Sequence, residues 1–179
     1  FAGRGIKKVL LVTDPVIRGL TGKLETLLPE AGIECIVYDK TNANPTVSNV
    51  NEALAIYVGE KCEALIGFGG GSSIDCAKAV GARIACPRKS LAQMKGILKI
   101  GRRIPLLAAI PTTAGTGSET TLAAIITDSE TRHKYAINDF PLIPDYAVLD
   151  PNITHSLPYG IAATTGMDAL THAVEAYIG

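Results

Sequence analysis

The feature that most constrains this chain is a regular alternation of short apolar runs with longer helical patterns. Runs at residues 9–13 (VLLVT), 35–38, 64–68 and 105–110 are brief and almost continuously apolar. Strands of a parallel sheet, covered on both faces, read this way. Between them, residues 18–30 carry Leu20, Leu24, Leu27 and Leu28 at helical spacing. Residues 47–60 form a second helical pattern, with Thr46 or Ser48 near its start, and a third runs from about 73 to 84 behind a glycine cluster. The order β-α-β-α-β-α-β predicts an α/β fold, a doubly wound, mostly parallel sheet with helices on both faces. Residues 123–127 and 135–137 flank Asp128-Ser129-Glu130-Thr131 and predict a hairpin, and 146–149 reads as a further strand. From 159 to 178 the pattern is helical only and rich in alanine, with Pro158 at its front, a position helix starts favour. The change of texture places a boundary near 151–158. It gives an α/β domain over 1–157 and the start of an all-helical domain over 158–179.

Composition narrows the function classes. Lys and Arg total 17, as do Asp and Glu; with zero formal charge and no basic stripe, nucleic acid is not an expected partner. No segment approaches the roughly 20 apolar residues of a membrane span, and no signal peptide is visible. Cys35, Cys62, Cys76 and Cys86 form no C-x-x-C pair, which fits neither a zinc knuckle nor a disulfide framework. They read as buried free thiols of a cytoplasmic protein. The chain opens on Phe1 rather than Met, so a natural N-terminus is expected to precede it.

Four constellations carry chemistry. Gly69-Gly70-Gly71-Ser72-Ser73-Ile74-Asp75 lies between a strand and a helix. Glycines let backbone N–H groups approach a ligand, and a helix N-terminus suits a pyrophosphate. Ser72 and Asp75 have the spacing of a capping box. An ordinary strand-to-helix turn would look similar, and the motif is not G-x-G-x-x-G. Pro111-Thr112-Thr113-Ala114-Gly115-Thr116-Gly117-Ser118-Glu119 follows the next strand, where ligands bind in open α/β sheets. The competing reading is a polar connector in which Ser118 caps a helix. Asp39 closes a strand, where a carboxylate can accept from ribose hydroxyls and repel a 2′-phosphate, or simply begin a turn. Asp168 and His172, four apart on a helix, share a face. They suit Fe²⁺ or Zn²⁺, or form an ordinary surface pair. His133 and His155 read as solvated loop side chains.

Taken in order, GGGSSIDCAKA, AIPTTAGTGSETT, PDYAVLDPNITHSLP and ATTGMDALTHAVEAY closely resemble the iron-containing (group III) alcohol dehydrogenases, through essentially the whole chain. The resemblance implies a dinucleotide-binding domain related to that of dehydroquinate synthase, then an all-helical domain, with the active site in the cleft between. It implies Gly70, Gly71 and Ser72 at the pyrophosphate turn with Asp75 beside it, and Thr112, Thr113 and Thr116 in a second cofactor loop. It further implies Asp39 at the adenosine ribose, Asn44 and Lys134 on the cofactor side, and Asp168 and His172 as the first two metal ligands. The family's two remaining histidine ligands lie further along the helical domain, so a piece ending at Gly179 is expected to be inactive alone.

The implied reaction is hydride transfer between a primary alcohol or aldehyde and NAD, with a divalent cation, Fe²⁺ or Zn²⁺, stabilising the alkoxide. No residue stands out as a separate general base. Rival readings are a glycerol or polyol dehydrogenase-type enzyme, a dehydroquinate synthase-like lyase on the same fold, and a nucleotide-binding module without catalysis. The PTTAGTGSE loop and the GMDALTHA stretch favour the alcohol dehydrogenase branch. The expected partner is a small alcohol or aldehyde, and a homo-oligomer is compatible with the pattern.

Overall fold

A computed structural model describes residues 1–129, 131–155 and 157–179. Its main sheet has five parallel strands. These are β1 (Lys8–Val12), β2 (Glu34–Tyr38), β3 (Ala64–Gly69), β5 (Leu106–Pro111) and β8 (Tyr146–Ala147), in the spatial order β2-β1-β3-β5-β8. Helices α1 (Gly22–Glu30), α2 (Val47–Gly59) and α3 (Gly71–Ala85) connect the first strands. A smaller three-stranded sheet joins β4 (Gly96–Ile97) to the antiparallel pair β6 (Ala123–Thr127) and β7 (Lys134–Asn138). The chain ends in a single-turn helix, α4 (Pro151–Thr154), and a long one, α5 (Tyr159–Ile178).

The period-2 alternation of strand side chains divides the core into two layers. Leu10, Val12, Leu65 and Leu107 face α2 and α3, in a cluster that continues through Met94, Ala124, Ile126 and Ile137 beneath the hairpin. Val9, Leu11, Ala64, Ile66, Phe68, Ala108 and Ile110 face the other way, towards Leu24 and Leu28 of α1. Burying both faces explains why the strands read as unbroken apolar runs. Each fully buried Leu or Ile contributes about 1.5–3 kcal/mol.

Several local expectations shift. The pattern over 18–30 divides into a 3₁₀ turn, Arg18–Thr21, and α1, because Gly19 and Gly22 are weak helix formers. Thr46, not Ser48, caps α2: its side chain accepts from Asn49 N–H, and Asn49 Oδ1 accepts from Thr46 N–H at 3.1 Å. The capping box expected of Ser72 and Asp75 does not form. Gly70 is the N-cap of α3, and both side chains bond elsewhere. No helix follows Ser118; Thr120 N–H donates to Gly117 O at 2.9 Å in a turn. The strand expected over 146–149 shortens to two residues, with Val148 N–H still donating to Ala109 O at 2.9 Å. The hairpin turn expected over 128–131 and the connector expected before Pro158 include Glu130 and Ser156, which lie outside the described residues. Among the described residues all four cysteines are free, and no helix is long and apolar enough to cross a membrane.

The neutral total hides one uneven stretch. No carboxylate lies between Asp75 and Glu119, and Arg88, Lys89 and Arg102 line a cleft of about 520 Å³. That cleft sits beyond the C-terminal end of α3, roughly 20 Å along the helix from its glycine-rich start.

Candidate functional site

In the order β2-β1-β3, chain connections reverse direction between β1 and β3, the place where open α/β sheets bind ligands. Four loops leave the carboxyl ends of β1, β2, β3 and β5 there and surround a cleft of about 430 Å³. Its lining includes Asp14, Asn42, Gly70, Ser72, Thr112, Thr113 and Ile161. Thr113 also borders a neighbouring cleft of about 330 Å³, with Gly115, Glu119, Asp150 and Thr154.

Each loop is held by identifiable bonds. After β1, Asp14 Oδ1 accepts from Val16 N–H at 2.9 Å and Ile17 N–H at 3.2 Å. After β2, buried Asn49 donates to Lys40 O at 2.9 Å and to Tyr38 Oη at 3.2 Å. After β3, Gly69 adopts a φ of 147°, and a Cβ there would meet Ser73 Oγ at 2.5 Å. Ser72 Oγ donates to Ala43 O at 2.5 Å, tying the third loop to the second. Thr112 N–H donates to Gly69 O at 3.0 Å, tying it to the fourth. The first i→i−4 bond of α3 runs from Ile74 N–H to Gly70 O. The N–H groups of Gly71, Ser72 and Ser73 therefore precede the helix ladder, and such donors with the helix dipole suit an anionic group. Among the described residues Thr113 Oγ1 is buried without a partner, a hydroxyl whose capacity a ligand can fill.

The predicted site residues fall into distinct places. Gly70, Ser72, Thr112 and Thr113 share one cleft. Gly71 backs onto the second threonine loop, where an added Cβ would lie 3.0 Å from Ser118 Oγ and 3.6 Å from Thr116 Cβ. Asp39 lies at the end of β2, its Oδ2 3.4 Å from Arg18 Nε. Asn44 is exposed on the following loop. Lys134 is exposed opposite Thr127, whose N–H donates to Pro45 O at 2.8 Å. The hairpin thus brings Lys134 towards the Asn44 loop.

Asp75 is not gathered into the cleft. It is 8% exposed, and its Oδ2 accepts from Ile125 N–H at 3.0 Å, fastening α3 to β6. Burial pushes its pKa up from 3.8 to about 6. One turn on, wholly buried Lys78 donates from Nζ to Thr121 O at 2.7 Å, Thr121 Oγ1 at 2.9 Å and Ala123 O at 2.9 Å. Burial pulls its pKa down from 10.5 to about 8. No motif in the sequence marks Lys78, Asn49 or Arg18. A charged residue three positions from Asp75 on a predicted buried helix was the one available signal for Lys78.

Helix α5 closes the cleft from the side. Leu157, just before it, and Ile161 in its first turn join the lining. A Cβ on Gly115 would lie 1.9 Å from Thr165 O, so glycine permits a backbone-to-backbone contact there. One turn further, Asp168 Oδ1 and His172 Nε2 lie 3.7 Å apart and are exposed. Two donors on one face at this separation can converge on a divalent ion with bonds of about 2.0–2.2 Å. Among the described residues no group of three or more candidate ligands occurs, so the pair makes at most part of a coordination shell.

Comparisons with known proteins agree on one family. The sequence profile of the iron-containing alcohol dehydrogenases matches residues 1–151. Alcohol dehydrogenase 4 of Schizosaccharomyces pombe is 48% identical over 178 residues, spanning 97% of this chain and 42% of that protein. The NAD-dependent methanol dehydrogenase of Bacillus methanolicus is 39% identical, over 97% of this chain and 46% of its own length. A crystal structure of a 1,3-propanediol oxidoreductase superposes with a TM-score of 0.94 at 41% identity, covering 97% of this chain and 46% of that one. The chain therefore spans less than half the length of each of these relatives.

Proposed function

This chain belongs to the iron-containing alcohol dehydrogenase family, and on that premise we propose that it supplies the dinucleotide cradle and two metal-ligating side chains of an NAD-linked alcohol dehydrogenase. The observation that carries the reading is the convergence of Gly70, Ser72, Thr112 and Thr113 on one cleft whose far wall is the start of α5. That helix bears Asp168 and His172.

The N-terminal N–H groups of α3 bind the pyrophosphate, with Gly70 and Gly71 allowing close approach. Thr112, Thr113 and Thr116 would offer hydroxyls to the cofactor from the second loop. Asp39 accepts from the adenosine ribose hydroxyls and repels a 2′-phosphate, with Asn44 and Lys134 at the rim. Asp75, held on Ile125, acts through the hairpin rather than on the cofactor. Asp168 and His172 hold the ion, for which Fe²⁺ and Zn²⁺ both suit the donors. When bound, the dinucleotide would accept hydride from the carbinol carbon while the cation acts as Lewis acid toward the alcohol oxygen. Leu157 and Ile161 give the cleft an apolar edge. The substrate is a small primary alcohol or its aldehyde, a class supported by the relatives' names. Residues 1–157 form the nucleotide-binding domain and 158–179 begin a helical one. The free cysteines support a reducing, cytoplasmic setting.

The test is His172→Ala in the full-length enzyme that carries this sequence. Elemental analysis should show loss of stoichiometric metal, and alcohol turnover should fall by about 10³-fold or more. Retained metal refutes the ligand role. NADH binding by the wild-type enzyme without turnover, with either ion supplied, would leave a nucleotide-binding module and overturn the enzymatic reading.

A further inference from the structure

The end of β2 carries more than Asp39. Arg18, in the 3₁₀ turn after β1, lies between two carboxylates. Its Nη1 and Nη2 donate to Glu25 Oε1 and Oε2 at 2.5 and 3.0 Å, and its Nε lies 3.4 Å from Asp39 Oδ2. Thr21 Oγ1 donates to Glu25 Oε1 at 2.6 Å and accepts from Arg18 Nη1. Both edges of the guanidinium fork therefore face acid. The side chains of Arg18, Glu25 and Asp39 are 36%, 32% and 44% exposed, so an incoming ligand can reach the cluster.

In open α/β sheets an acid at this strand end reads ribose hydroxyls, and a nearby arginine accommodates a 2′-phosphate. Here both elements are present, and the arginine is already engaged. We propose that Arg18 and Glu25 complete a three-charge cluster with Asp39 that sets discrimination against a 2′-phosphorylated dinucleotide. Glu25 holds back an arginine that would otherwise receive the phosphate. The inference rests on Asp39 being the ribose carboxylate.

The cluster's formal charge is minus one, since the guanidinium stays protonated. Neutralising one carboxylate brings it to zero and releases guanidinium N–H groups. Neutralising both leaves a free cation beside the 2′ position. Arg18 is thus a specificity-determining residue that is silent in the wild-type arrangement, and Glu25 is a positioning residue that acts through it.

The experiment titrates the full-length enzyme with NADH and with NADPH, following nicotinamide fluorescence, in a nested set of variants. Wild type should prefer NADH. Glu25→Gln should narrow that preference about threefold to tenfold, and Asp39→Asn by about tenfold or more. The double variant should bind NADPH at least as tightly as NADH, and raising salt should erode that gain. Adding Arg18→Gln to the double variant should cost about tenfold in NADPH affinity while NADH affinity changes far less. Adding Lys40→Gln instead should not reproduce that loss.

An Asp39→Asn enzyme with an unchanged NADPH-to-NADH ratio removes the ribose assignment and the proposal with it. If that ratio shifts but Glu25→Gln does nothing, or Arg18→Gln fails to reverse the double variant, the role of Arg18 and Glu25 is overturned while the Asp39 reading stands. Equal losses from Lys40→Gln would assign the phosphate to Lys40 and overturn it as well. Should Glu25→Gln prove unstable, Asp39→Asn with and without Arg18→Gln poses the same question with Glu25 in place.

Discussion

Helices α3 and α5 border the same cleft, yet they stand in opposite surroundings. Ten consecutive residues of α3, Ser73 to Ala82, are buried, whereas no residue of the 20-residue α5 is. Each helix carries polar groups one turn apart: Asp75 and Lys78 on α3, Asp168 and His172 on α5. On α3 those groups are enclosed and bonded to β6 and the loop before it. On α5, among the described residues, they pair with each other, 3.7 Å apart, in the open. The lesson is that spacing identifies a shared face, and burial decides whether that face serves the fold or a ligand. A buried ion with its bonds filled has nothing left to offer a substrate. An exposed pair of hard and borderline donors does.

Removing the buried partner should have the largest effect. Lys78→Met leaves Thr121 O and Ala123 O without their donor, so denaturant unfolding should show a loss of about 3–4 kcal/mol. A loss below about 1 kcal/mol would break the contrast, because it would mean the hairpin does not depend on that ammonium. Next comes pH. Asp75 has its folded-state pKa raised from 3.8 to about 6, so the folded state holds the proton more tightly than the unfolded chain. Its contribution to stability is full below about pH 4 and is lost as pH rises through about 6, an effect of at most about 3 kcal/mol. Asp75→Asn should flatten that part of the stability–pH curve; an unchanged slope would show that the carboxyl is not desolvated in solution. Lys78 acts in the opposite range. Its pKa is lowered from 10.5 to about 8, so its desolvation cost is relieved as pH climbs from about 8 towards 10.5.

The smallest effect concerns the seam between the two environments. A methyl group on Gly115 would lie 1.9 Å from Thr165 O, and backbone on both sides cannot yield as a side chain would. Gly115→Ala should displace α5 from the threonine loop and misplace Asp168 and His172. The expected cost is about 10- to 100-fold in kcat/KM, roughly 1.4–2.7 kcal/mol, with the melting temperature of the α/β core little changed. Steady-state kinetics beside a thermal melt would separate the two. A fall in melting temperature matched to the loss of rate would mean that α5 is integral to the core after all.

Much of the fold was legible because its signals are local. Unbroken apolar runs mark strands covered on both faces, and Leu24 and Leu28 mark one face of α1. The glycine turn and the threonine loop were legible for the same reason, each lying directly after its strand. Asp75 was not. Its neighbours in sequence place it beside the glycine turn, while the N–H that engages it belongs to Ile125, 50 residues away. The three acceptors of Lys78 lie 43 to 45 residues away. Arg18 was hidden as well, because its partnership with Asp39 requires β1 and β2 to lie side by side in register, Val12 against Tyr38.

By itself, the sequence determined the strand-and-helix order, the parallel sheet and the positions of the glycine turn and the threonine loop, since hydrophobic periodicity and glycine placement act over a few residues. The tertiary structure alone decided which polar groups remain available. It enclosed Asp75 and Lys78 against the hairpin, left Asp168 and His172 open on α5, and set Arg18 between Glu25 and Asp39. The physical reason is that desolvation and pairing depend on neighbours distant in the chain, and those exist only once the sheet has formed.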